Sequence, residues 1–119
     1  MHLHIEKIGA ITVIECDGRV VSNDTAFRLR DAVTSQCDAR IIVVDLSAVQ
    51  AIEGGGLGML AFLGRWAQHH DIQFKLFNPT KSVRDGLESL NTLLDCKIAT
   101  FGEIMDLVAK TDSRYPLAA

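Results

Sequence analysis

Cysteine is scarce and poorly placed for chemistry. Cys16, Cys37 and Cys96 are an odd number, lie far apart and form no C-x-x-C pair. Neither a zinc site nor a dithiol redox motif is expected, and free thiols of a reducing compartment are the simpler reading. Long apolar runs are missing too. No segment reaches the roughly 18 uncharged apolar residues of a membrane span. The opening MHLHIEKIG has neither the apolar core nor the cleavage pattern of a signal peptide. A cytoplasmic protein is expected. Positive charge is not in excess: the formal charge is −3, the pI is about 5.7 and no Lys/Arg cluster exists, which disfavours nucleic acid as a partner. Internal repeats and low-complexity tracts are absent. What is present is 119 residues, 48% hydrophobic and 23% charged, the profile of one globular domain large enough to bury a core without a staple. The expected domain is 1–110, with 111–119 a flexible C-terminal tail.

The apolar pattern predicts an alternating α/β chain. His2 to Ile8 alternates imperfectly, Gly9 breaks it, and Ala10 to Cys16 resumes as a stronger strand. Asp17-Gly18 is a turn signal, although Arg19-Val20-Val21 can extend the sheet beyond a bulge. Ser22-Asn23-Asp24 offers a helix N-cap, followed by Ala26, Phe27, Leu29, Arg30 and Val33 at helical spacing to about Gln36-Cys37. A central strand, Arg40 to Leu46, carries the unbroken β-branched run Ile41-Ile42-Val43-Val44, suited to cover on both faces. Ile72 to Phe77 reads as a further strand, Lys81 to about Leu90 as a helix with Val83, Leu87 and Leu90 on one side, and Leu93-Leu94 as a connector. Lys97-Ile98-Ala99 reads as a short edge strand. Gly102 to Ala109 reads as a last helix, with Ile104, Leu107 and Val108 inward. Strand–helix alternation in the second half requires parallel strands joined by right-handed crossovers.

The stretch Ile41 to Trp66 organises the rest. Asp45 and Ser47 are expected to close the strand in a polar turn. Gly54, Gly55 and Gly56 then form a loop, where glycine tolerates unusual backbone angles and leaves N–H groups uncovered at the positive end of the next helix. In that helix Leu57, Leu60, Ala61, Gly64 and Ala67 form one stripe, and Met59, Phe62, Leu63 and Trp66 another. A two-layer domain of this size cannot easily cover both. Met59, Phe62 and Trp66 are therefore expected at an interface, which is also compatible with a homodimer.

The segments Asp45-Leu46-Ser47-Ala48-Val49 and Ile52-Glu53-Gly54-Gly55-Gly56-Leu57-Gly58 resemble the signature of STAS domains. The likeness is greatest to stand-alone bacterial anti-sigma factor antagonists, which read D-L-S and then D-S-S-G-L-G opening a helix. The resemblance extends over nearly the whole chain. It implies a mixed sheet of four to five strands with about four helices packed mainly on one face. It also implies a non-enzymatic role: docking on an anti-sigma factor, often kinase-like, or on a related regulator in transcription control. The implied docking surface is Asp45, Ser47, Glu53, Gly54, Gly55, Gly56, Leu57, Gly58, Met59, Phe62 and Trp66. In that family, phosphorylation of the first serine after the motif's aspartate breaks docking by adding charge at the helix start. This sequence has Glu53 for the aspartate, Gly54 for the phosphorylated serine and Gly55 for the next serine. Glycine has no hydroxyl, so a partner-binding protein without the standard switch is expected.

Other chemistries find less support. The glycines are followed by no Walker-type lysine and are not spaced G-x-G-x-x-G, so nucleotide sensing is a minority alternative. An accessory subunit of a lipid or small-ligand transport complex is another, because STAS-like domains also serve transporters. Adjacent His69 and His70 point apart on a helix end with no third ligand, and His2 with His4 is a weak pair, so no metal or other cofactor is expected. No G-x-S-x-G elbow surrounds Ser22, Ser47 or Ser82, and Glu53 has no partner acid or base, so catalysis is not expected.

Overall fold

The computed structural model describes residues 2–20, 23–89 and 97–111. Val21, Ser22, Leu90, Leu93, Leu94, Cys96 and the tail from Asp112, to which the sequence assigned a strand end, a cap, a helix end, a connector, a thiol and a frayed terminus, lie outside them. The described strands are β1 (His2–Ile8), β2 (Ile11–Val20), β3 (Ile41–Ile52), β4 (Gln73–Phe77) and β5 (Lys97–Ala99). The helices are α1 (Asn23–Thr34), α2 (Gly54–His69), α3 (Lys81–Ser89) and α4 (Phe101–Thr111). The strands form one mixed sheet in chain order, β1-β2-β3-β4-β5, with β1 antiparallel and the others parallel. Gly9 turns the β1–β2 hairpin at φ 60°, a conformation few residues but glycine adopt readily.

Each parallel crossover runs over the same face. Ala26, Leu29 and Val33 of α1, Leu57, Leu60, Leu63 and Ala67 of α2, and Val83 and Leu87 of α3 pack on Ile14, Ile42, Val44, Leu46 and Leu76 of the sheet. The opposite face holds a smaller cluster, Ile11, Ile41 and Val43, covered by Ile104, Leu107 and Val108 of α4. Ile41 to Val44 are thus buried on both faces, as their β-branched run requires. Three helices on one face and one on the other is the arrangement expected of the α/β chain. α4 starts with a capping box: the Glu103 amide donates to Thr100 Oγ1 at 3.1 Å, and the Thr100 hydroxyl lies 3.3 Å from a Glu103 carboxylate oxygen.

Three expectations need correction. First, Asp45 and Ser47 do not end the central strand. β3 continues to Ile52, pairing with the second half of β2 while β4 stops at the Asp45–Phe77 pair. Between Glu15 and Asp17 of β2, β3 advances from Asp45 to Ala48, and between Gly18 and Arg19 it advances from Val49 to Ala51. An extra residue in β3 at each place makes a bulge, which absorbs the polar pair without breaking the ladder. β2 likewise runs through Gly18, at φ 105°, to Val20, as the bulge reading anticipated. Second, the three glycines are not a loop. They form the first turn of α2, and none has a positive φ. Third, α1 ends at Thr34, before Gln36, whose buried side-chain oxygen lies 3.5 Å from the Thr12 hydroxyl. Phe27, grouped by spacing with the inward residues, is exposed, and the Arg30 guanidinium lies 4.8 Å from its ring centre.

Candidate docking surface

The overrun of β3 past β4 carries the start of α2 out to a corner of the sheet. Glu53 is the N-cap residue, with extended backbone (φ −102°, ψ 179°), and its carbonyl accepts the first helical bond from the Leu57 amide at 2.9 Å. Its carboxylate makes no capping hydrogen bond, and no acidic residue stands in the first turn. A negative side chain so near the positive end of a helix dipole is well placed electrostatically, yet it projects into solvent.

From there the helix divides cleanly. Gly56, Leu57, Leu60, Leu63, Gly64 and Ala67 are buried. Gly54, Gly55, Gly58, Phe62, Arg65 and His69 are exposed, following the i, i+3/i+4 period of one helical stripe. Met59 and Trp66 lie on the rim of that stripe, half-buried and packed against the core. Trp66 stacks on His70 with ring centres 4.6 Å apart, and the His70 Nδ1–H donates to the Trp66 carbonyl at 2.8 Å. The two-stripe reading therefore changes: Leu63 belongs inside, Ala61 is only half-buried, and the outward apolar side chain is Phe62, 45% exposed.

The glycines make this face unusual. At Gly54 and at Gly58 an added Cβ would meet nothing within 4 Å, so open space rather than crowding surrounds them. Three exposed positions without side chains leave the helix backbone open to close approach, with Phe62 next in line. Gly56 and Leu57 support this plate from beneath, Leu57 lying 3.4 Å from where a Cβ at Gly86 of α3 would sit.

Asp45 and Ser47 are not brought beside these residues. Eight positions of extended strand separate Asp45 from Glu53, roughly 25 Å at the usual rise. Asp45 Oδ1 instead accepts from the Ser47 amide at 2.9 Å and the Ser47 hydroxyl at 2.6 Å, a local turn that fixes the bulge. Cys16 lies buried nearby. Burial first, and the Asp45 charge second, push its thiol from 9.0 up to about 12, which makes it an unreactive core residue.

Among the described residues no group of three or more His, Cys, Asp or Glu side chains converges as a metal site. An open cavity of about 370 Å³ lies between Phe77, Asn78, Arg84, Thr100 and Phe101, and no glycine of the α2 start lines it. No described helix is long and apolar enough to cross a membrane.

The family model described as "STAS domain" matches residues 2–104. The anti-sigma factor antagonist SpoIIAA in its unphosphorylated form superposes with a TM-score of 0.74 at 17% identity, over 90% of this chain and 96% of that one. The phosphorylated form of SpoIIAA, from Bacillus, gives 0.69 at 16%, over 90% and 99%. An anti-sigma factor antagonist from Mycobacterium paratuberculosis gives 0.75 at 19%, over 90% and 92%. One described as putative, from Thermotoga maritima, gives 0.75 at 19%, over 89% and 93%. At these identities the likeness is one of fold. No curated protein sequence matches at a significant level.

Proposed function

The chain belongs to the STAS domain family, and from that premise we propose that it is a partner-binding protein of the anti-sigma factor antagonist kind. It docks on an anti-sigma factor or a related regulator through the start of α2. The observation that carries this reading is the exposed plate of Gly54, Gly55 and Gly58 with Phe62 beside it, at a projecting helix start. A partner surface can approach the bare backbone there, Phe62 supplies an aromatic anchor, and Glu53 offers a charge at the edge for orientation. Met59 and Trp66 form the rim. Gly56 and Leu57 act from within by holding the plate, and Asp45 with Ser47 by fixing the course of β3.

The switch used by serine-bearing relatives has no acceptor here. Gly54 carries no hydroxyl, so no phosphate can be added at that position to bring negative charge to the helix start. Docking is accordingly constitutive with respect to this residue, and any control comes through other inputs.

The test is a capture experiment in the native host with wild type, Phe62→Ala and Gly58→Arg. The arginine enters open space, so the fold is kept while the plate is covered. Wild type should recover a kinase-like ATPase regulator and both variants should lose most of it. Recovery of that regulator equally by all three would dismiss this surface, and recovery of a transporter ATPase instead would dismiss the antagonist reading.

A further inference from the structure

β1 is the outermost strand of the sheet, and among the described residues it has a neighbour on one side only. Its ladder with β2 is unbroken from His2–Asp17 to Ile8–Ile11. Neither proline nor bulge interrupts it, two of the devices by which proteins protect an open edge. Ile5 is 40% exposed although its partner on β2, Ile14, is fully buried.

We propose that this edge pairs, antiparallel, with β1 of a second copy, joining the two five-stranded sheets into one. A two-fold axis normal to the sheet keeps the faces in common, so residue i must oppose a residue of the same parity. Three registers meet that rule near the centre of HLHIEKI, and the charges choose among them. Centring on Ile5 pairs all seven residues: Ile5 meets its own copy, His4 meets Glu6 twice, Leu3 meets the stem of Lys7, and His2 meets Ile8. Centring on Glu6 places two carboxylates face to face, and centring on His4 does the same with two imidazoles while losing the outer pairs. In the Ile5 register each imidazole N–H can donate to a carboxylate, and the exposed Ile5 pair is covered on the face that carries α1, α2 and α3. The surface is small, so the association is weak and reversible.

Sedimentation velocity over a concentration series tests this. Wild type should pass from monomer to dimer as concentration rises. His4→Glu sets carboxylates opposite each other at two places and should weaken the dimer roughly tenfold or more. Adding Glu6→Lys to His4→Glu restores opposite charges and should restore the dimer. Ile5→Lys sets two ammonium groups at the axis and should leave monomer, with its circular dichroism and urea midpoint showing that the fold is retained. A wild type that stays monomeric at the highest concentration would overturn the proposal. So would a dimer indifferent to His4→Glu, or a double variant that fails to recover. These outcomes do not depend on the docking surface of α2.

Discussion

Replacing Gly54 by serine isolates what the missing side chain does. The position lies in the first turn of α2 with no positive φ, and a Cβ placed there touches nothing within 4 Å. Serine therefore enters without strain or overlap. Glycine costs about 0.8–1.0 kcal/mol relative to alanine within a helix and serine roughly half of that, so the change should stabilise by up to about 0.5 kcal/mol. First-turn positions feel only part of this propensity, and the urea midpoint should rise slightly with an unchanged slope. In a chain of this length the melting temperature should rise by about 1–2 °C. The new hydroxyl also places a phosphoacceptor at the start of α2. Incubated with a kinase that phosphorylates serine-bearing relatives, the variant should gain one phosphate in intact mass and the wild type none at this helix start. Phosphate brings nearly two negative charges beside Glu53, on the face proposed to dock, so the modified variant should bind its partner far less well. A loss of more than about 1 kcal/mol on introducing serine would refute the open-space reading of Gly54. Loss of partner binding by wild type on incubation with that kinase would refute the reading that the switch is gone.

Other consequences follow from burial and from charge. Neighbours on α2 should behave oppositely: Leu63→Ala, fully buried, should cost about 2–5 kcal/mol in urea unfolding, whereas Phe62→Ala should stay within about 0.5 kcal/mol. The raised Cys16 thiol makes stability fall as pH climbs. Below 9.0 the thiol is protonated folded and unfolded; between 9.0 and about 12 the unfolded chain ionises first. From about pH 8 to about pH 10 wild type should lose up to about 1.4 kcal/mol more than Cys16→Ala, and parallel curves for the two would disprove the burial effect. Thr100→Ala removes the N-cap of α4 and should cost roughly 0.5–2 kcal/mol by urea melts, with the capping box as its cause if Glu103→Ala costs less in that background than alone.

Much of this architecture was legible from apolar spacing because most elements have a single dominant constraint. Ile72, Phe74 and Leu76 alternate and are all buried, Val83 and Leu87 face the core, and Ile104, Leu107 and Val108 cover the far side of the sheet. β3 was harder to read. Asp45 and Ser47 have the residue types of a turn, but a bulge lets them satisfy each other while the strand continues, and bulges leave no simple period in sequence. The glycine triplet misled in a related way. Glycine's freedom marks loops, yet here β3 delivers the chain at Glu53 with extended geometry and the glycines simply enter the helix. On α2, apolar spacing placed Leu63 and Phe62 in one stripe, and only packing against the sheet decides that Leu63 is covered and Phe62 is not. The half-burial of Met59 and Trp66 depended likewise on tertiary packing. Thr100-x-x-Glu103 was available as a capping signature and marks the start of α4 one residue earlier than its apolar spacing does.

The central claim is that the side-chain-free start of α2 is where a partner sits, and it is tested most directly by titrating the captured regulator with wild type and Gly58→Arg side by side. The account predicts a urea midpoint for the variant at or somewhat above that of wild type, since arginine favours the helix more than glycine. It also predicts tight binding by wild type without kinase or phosphatase treatment, and at least about a hundredfold weaker binding by the variant, as expected when a contact central to an interface is blocked. Equal affinities in two folded proteins would contradict it.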